Sequence, residues 1–164
     1  MSAGASVAPI PVDRDIDLLA PKFAAAVREA LAACAAASLH AVVYEANRSA
    51  ALQAQYYARG RTIVPPSYTV TNARSNLYSW HGYGLAVDVI HATEAWDAPE
   101  SWFAEVATHF HAAGCRWGGE WKMKDLPHFQ WGLCRPSPSD RARELLAAGG
   151  RLAVWEAVGA SDKG

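Results

Sequence analysis

A single aspartate interrupts the most apolar strand-like run of this chain, Leu85-Ala86-Val87-Asp88-Val89-Ile90, and few folds tolerate it. The run reads as a β-strand, and a carboxylate buried there without a partner costs several kcal/mol. A cation held there removes that cost. Upstream lies Ser79-Trp80-His81-Gly82-Tyr83-Gly84, a glycine-punctuated turn that places a histidine seven residues before the aspartate. Gly82 and Gly84 let the backbone turn tightly enough for His81 and Asp88 to converge. Imidazole and carboxylate together are an ordinary zinc pair.

A second segment completes the pattern: Asp125-Leu126-Pro127-His128-Phe129-Gln130-Trp131. His128 opens a strand and is the third candidate ligand. Asp125, on the preceding turn, can reach a metal-bound water without being a ligand itself. Three protein ligands with a fourth position open is the pattern of a catalytic zinc. Such a zinc lowers the pKa of its water to about 7, and a nearby carboxylate can accept the proton during attack. The other histidines read as structural: His40 and His91 bound strands, and His109 and His111 flank a buried helical stripe. No HExxH occurs, which excludes the helix-borne zinc protease.

The chain has 164 residues, 51% of them hydrophobic and 19% charged, enough for one domain with a real core. A net charge of −1 gives no electrostatic footprint for nucleic acid and no attraction to anionic lipid. No run approaches the ~18 apolar residues of a membrane span. The opening MSAGASVAPIPV lacks a basic region and a continuous apolar stretch, so it reads as a loose arm and not a signal peptide. The expectation is a soluble monomer. Cys34, Cys115 and Cys134 form no disulfide framework; Cys34 falls on an apolar helical stripe, and the spacing leaves open whether Cys115 and Cys134 pair.

Apolar residues at Phe23, Val27, Ala30 and Cys34 predict a helix begun by Pro21. Leu39–Glu45 predicts a strand, and Ser49 caps a helix to about Arg59. A long loop follows from Arg61 to Ser79, with a short strand expected at Thr69–Thr71. A helix is expected from Asp97 and Pro99 to about Ala113, a turn at Gly118-Gly119, a strand at His128–Trp131 and a short helix from Ser139 to Ala148. Gly149-Gly150 should end it, leaving the last dozen residues to fray. The sum is α+β, a small antiparallel sheet with helices packed on it. The expected division is a flexible arm over 1–14, a folded metal-binding domain over 15–150 and a tail over 151–164.

These residues resemble the M15 metallopeptidases, which include VanX- and VanY-like D-alanyl-D-alanine peptidases and phage L-alanyl-D-glutamate endolysins. The pattern SxHxxGxAxD is matched at Ser79, His81, Gly84, Ala86 and Asp88, and a carboxylate three residues before a histidine at Asp125 and His128. Asn47-Arg48-Ser49, Gln53, the segment Tyr57 to Thr62, Thr71-Asn72-Ala73 and Trp117 to Trp121 are similar to endolysin-type elements. The resemblance implies the Hedgehog/D-Ala-D-Ala-peptidase fold and one Zn2+ per chain on His81, Asp88 and His128. It further implies Asp125 as general base, Arg48 as the cation that neutralises the oxyanion, and Ser79 and Glu120 as substrate contacts. The implied substrate is the peptide stem of peptidoglycan, cut as by an L-alanyl-D-glutamate endopeptidase acting at the cell wall after release or export. The alternatives are a D-alanyl-D-alanine carboxypeptidase and a catalytically silent zinc-containing binding module of the Hedgehog kind. Three positions depart from the pattern: Ala51-Leu52 replace Glu-Arg, Arg59 replaces Gln, and Glu120 replaces Asp.

Overall fold

Alternation along the central strands sorts the molecule into a core side and a site side. The computed structural model describes residues 8–162. Helix α1 (Pro21–Ala36) is followed by β1 (Ala41–Glu45), α2 (Ala50–Ala58), β2 (Ala86–His91), α3 (Glu100–Ala112), β3 (Cys115–Trp117), β4 (His128–Trp131) and α4 (Asp140–Ala157). The strands form one antiparallel sheet in the order β1-β2-β4-β3. The α+β expectation holds.

On the core side, Val87, Val89 and Phe129 are fully buried. Phe129 stacks on Phe110 of α3 with ring centroids 4.1 Å apart, and Trp131 meets Phe23 of α1 edge-on at 6.5 Å. Each large side chain buried here stabilises the fold by about 1.5–3 kcal/mol. This apolar layer fixes the sheet, and thereby whatever the opposite face carries.

Local chemistry sets the element ends. Pro21 occupies the first turn of α1, and the Ser49 and Ser139 hydroxyls accept from Leu52 N and Ala142 N to cap α2 and α4. Strand β3 is absent from the sequence expectations: three residues with Arg116 in the middle carry too little pattern. The strand expected at Thr69–Thr71 does not form; the Thr71 carbonyl accepts from Arg61 Nη1 at 3.1 Å instead of from a ladder.

The end of the chain also differs from expectation. Gly150 takes φ of +69° and kinks α4, but the helix resumes and runs to Ala157. Val154 and Ala160 are buried, and Trp131 Nε1 donates to Val158 O at 2.6 Å. The break at Gly150 does not free the last turns of the helix, because they have an apolar surface to cover. Of the expected arm, residues 1–7 lie outside the described residues. Beyond them Gln55 Nε2 donates to Ala8 O at 3.0 Å and Ala46 N to Asp13 O at 2.7 Å, which straps the segment down. Among the described residues, no helix is long and apolar enough to cross a membrane.

Candidate active site

The site begins as a row across the sheet. Asp88 of β2 pairs with His128 of β4 on one side and with Glu45 of β1 on the other. The β1–β2 ladder runs regularly to Val43 opposite Val89 and then shifts. This bulge at Tyr44 brings Glu45, not its neighbour, beside Asp88. Residues opposite one another share a face, so three ionisable groups stand together on the side away from α1 and α3.

His81 reaches the row from the connection before β2. It lies in a short 3-10 turn, Trp80–Tyr83, capped by the Ser79 hydroxyl, which accepts from His81 N at 3.3 Å. A Cβ at Gly82 would stand 2.1 Å from Asn76 O, and Gly84 ends the turn at φ +71°. Only glycine satisfies the first position without moving the backbone. Arg48 N donates to His81 O at 3.1 Å. From α4, Arg151 donates to Gly82 O at 2.9 Å and also to Asn47, while Trp155 Nε1 donates to Tyr83 O at 2.7 Å.

The ring nitrogens are sorted by their outer partners. His81 Nδ1 lies 3.2 Å from the Ala46 carbonyl, and His128 Nε2 lies 2.8 Å from Gln130 Oε1. Protons on these nitrogens serve those bonds and leave lone pairs on His81 Nε2 and His128 Nδ1. Both face one atom: Asp88 Oδ1 is 3.3 Å from His81 Nε2 and 3.8 Å from His128 Nδ1. All three ligand atoms lie within 4.8 Å of one another. Two ligands of a tetrahedral zinc, each at 2.0–2.1 Å, are about 3.3 Å apart; the Asp88–His81 pair stands at that spacing, and the donor set suits zinc once His128 draws closer.

Electrostatics agree with that fit. Burial raises the cost of charge on Asp88, yet the charge and hydrogen bond of His81, with Arg48 and His128, outweigh it and hold its carboxyl well below the usual range. His128 is pushed down to about 4, first by burial and then by the charge of His81. A deprotonated carboxylate and a neutral imidazole are the forms a cation requires.

Around the cluster lies a cavity of about 1010 Å³, whose wall includes Arg48, Ser79 and Asp125. Asp125 Oδ2 is 4.0 Å from His128 Nδ1, with half of the side chain still open. Lost hydration and the neighbouring Asp88 charge push its carboxyl up to about 6; a bound dication would act in the opposite sense. Arg48 is buried, its Nε on Glu45, its Nη1 2.9 Å from Gln53 Oε1 and its Nη2 3.5 Å from Asp88 Oδ2. Glu120 is not brought to this wall; it is exposed and lies 2.9 Å from His111 Nε2.

Sequence reasoning missed the residues that hold the others in place. Glu45 accepts from Arg48 and, at 3.0 Å, from the Tyr56 hydroxyl. Gln53 Nε2 donates to Ala73 O at 2.7 Å, joining Arg48 to the long loop. A clue exists for Glu45, an acid closing the apolar strand Ala41–Tyr44, much as Asp88 interrupts its own. Gln130 carries a weaker one, two residues from His128 and therefore on its face. For Arg151 and Trp155 no local pattern points to the site. Cys34, Cys115 and Cys134 are buried and unpaired, with burial pushing the last two thiols up to about 12.

Residues 72–131 match the model of an M15 peptidase family described as D-alanyl-D-alanine carboxypeptidase. The crystal structure of the Serratia marcescens L-Ala D-Glu endopeptidase ChiX is similar over 77% of this chain and 93% of its own. The sequence identity is 26% and the TM-score 0.50.

Proposed function

From the premise that this chain is a peptidase of the M15 family, we propose that it hydrolyses peptide stems of bacterial peptidoglycan. We assign it as a zinc-dependent L-alanyl-D-glutamate endopeptidase. The observation that carries the reading is the convergence of His81, Asp88 and His128 in one cavity with Asp125 and Arg48. A binding module needs the first three groups but neither of the last two. The endopeptidase assignment draws on the similarity to ChiX over most of both chains.

His81 Nε2, Asp88 Oδ1 and His128 Nδ1 would hold zinc, which when bound supplies Lewis-acid activation of water and of a carbonyl at neutral pH. The protein's own groups do the rest. Ala46 O and Gln130 Oε1 keep both imidazoles in the ligating tautomer. Asp125 Oδ2 takes the proton of the attacking water and returns it to the leaving amine. Arg48, locked by Glu45 and Gln53, presents fixed positive charge where the scissile carbonyl oxygen becomes negative. Fixing it beforehand removes reorganisation from the barrier. Ser79 holds the His81 turn and adds a hydroxyl to the wall.

Digestion of purified muropeptides by the zinc-loaded protein, with and without chelator, tests this reading by mass spectrometry. The expected products are a glycan that keeps a single L-alanine and a released stem beginning at D-glutamate. Release of only a terminal D-alanine would give the assignment to the carboxypeptidase described for the matching family. Peptidoglycan binding without any cleavage would leave a binding module.

A further inference from the structure

We propose that Arg59 anchors a carboxylate of the substrate beside the reacting centre. The inference rests on the peptidase reading and names the chemistry its cavity selects. Five side chains of fixed charge line the cavity: Glu45, Arg48, Arg59, Asp88 and Asp125. Four are engaged with one another or with the ligand cluster. Arg48 already commits an N–H on each of its three guanidinium nitrogens to Glu45, Gln53 and Asp88, and its remaining donors serve the developing oxyanion.

Arg59 differs. Among the described residues its guanidinium has no hydrogen bond and no ion pair; it lies over the face of the Tyr56 ring, 5.2 Å from the centroid. Arg48 approaches the same ring at 4.8 Å. The two guanidinium groups are therefore separated by no more than about three residues of extended peptide, at ~3.3–3.6 Å each. A stem whose scissile carbonyl lies at Arg48 can reach Arg59 with an adjoining residue.

The position is also preset. Arg59 closes α2, and its N–H donates to Gln55 O at 3.2 Å. Gly60 comes next at φ +81°, where a Cβ would stand 2.0 Å from Tyr68 O. The Tyr56 hydroxyl is tied to Glu45, so the ring under the guanidinium cannot swing away. A planar fork resting on a fixed ring is matched to bidentate carboxylate recognition. In an L-alanyl-D-glutamate substrate, the D-glutamate next to the scissile bond carries a free carboxylate. A cation at this place in the wall makes acidic stems the preferred class.

Two stem peptides that differ only at that group, free acid against primary amide, test the inference with wild type, Arg59→Lys and Arg59→Gln. Wild type should favour the acid by about 10- to 100-fold in kcat/KM, the range of one charge-assisted hydrogen bond, and chiefly through KM. Arg59→Gln should level the two, chiefly by raising KM for the acid, with zinc content unchanged and Arg59→Lys between. An Arg59→Gln protein that keeps the full preference overturns the inference and leaves the peptidase reading intact. If wild type cleaves neither peptide, the peptidase reading fails. Calorimetric binding of the same pair then decides: tighter binding of the acid that Arg59→Gln abolishes supports the anchor, and equal binding overturns it.

Discussion

Half of the site rides on strands and half on turns, and different forces hold the two halves. Asp88 and His128 are cross-strand partners, so their separation follows from register and from the apolar layer behind them. A shift of one residue would turn both into the core. His81 and Arg48 have no ladder of their own. They depend on a hydroxyl cap, on glycines in crowded places, on Glu45 and Gln53, and on two side chains sent from α4. The comparison teaches that the sheet half is built by patterning and the turn half by individual polar contacts. Damage should therefore spread differently in each.

Removing a ligand is the largest effect and should be equal in both halves. His81→Ala, Asp88→Ala and His128→Ala each should lose the zinc and, with it, hydrolysis, because three protein ligands leave no spare. Elemental analysis checks this. A full equivalent of zinc retained by His81→Ala would mean that the sheet half holds the ion unaided.

Asp125→Asn comes next. The amide keeps the shape but cannot accept a proton, so turnover should fall about 10²–10⁴-fold with zinc and circular dichroism unchanged. Near-normal turnover would remove Asp125 from the base role. Arg48 is next on the turn side, where Arg48→Ala should lower kcat by about 10²–10³-fold with KM changed less. Arg48→Lys should fall between, since it keeps charge but cannot meet Glu45, Gln53 and Asp88 with one fork. Equal losses in the two variants would show that geometry, not charge, carries the effect.

The same division explains what is legible in the sequence. Asp88 and His128 can be found because a charge inside an apolar alternation violates a rule that strands otherwise obey. His81 can be found because glycines surround it. Helices α1, α2 and α3 follow from periodicity and caps, each close to its expected span. Strand β3 escapes because pairing with β4, not its own three residues, makes it a strand. Arg151 and Trp155 escape for a related reason: their partners lie far away along the chain, and no spacing encodes a hydrogen bond to a carbonyl in another turn. The helix beyond Gly150 is misread because glycine signals a break in backbone, while the packing of Val154 and Ala160 decides whether order resumes.

The smallest effect separates the halves most clearly. Trp155→Phe keeps an aromatic ring against the core but deletes the bond to Tyr83 O, which should cost about 1 kcal/mol. For a domain of this size that is a fall of roughly 2–4 °C in Tm. Phe110→Leu, behind the sheet, should cost as much or more through the lost stack on Phe129. Stability alone will not tell them apart. Zinc retention should, because the Tyr83 carbonyl belongs to the turn that aims His81, whereas the Asp88–His128 pair is held by its ladder. Competition with a chelator at 25 °C, where both variants are folded, should show a several-fold weaker hold in Trp155→Phe, with Phe110→Leu close to wild type. The reverse order would mean that the apolar layer, not α4, sets the ligand geometry, and that His81 needs no support from the end of the chain.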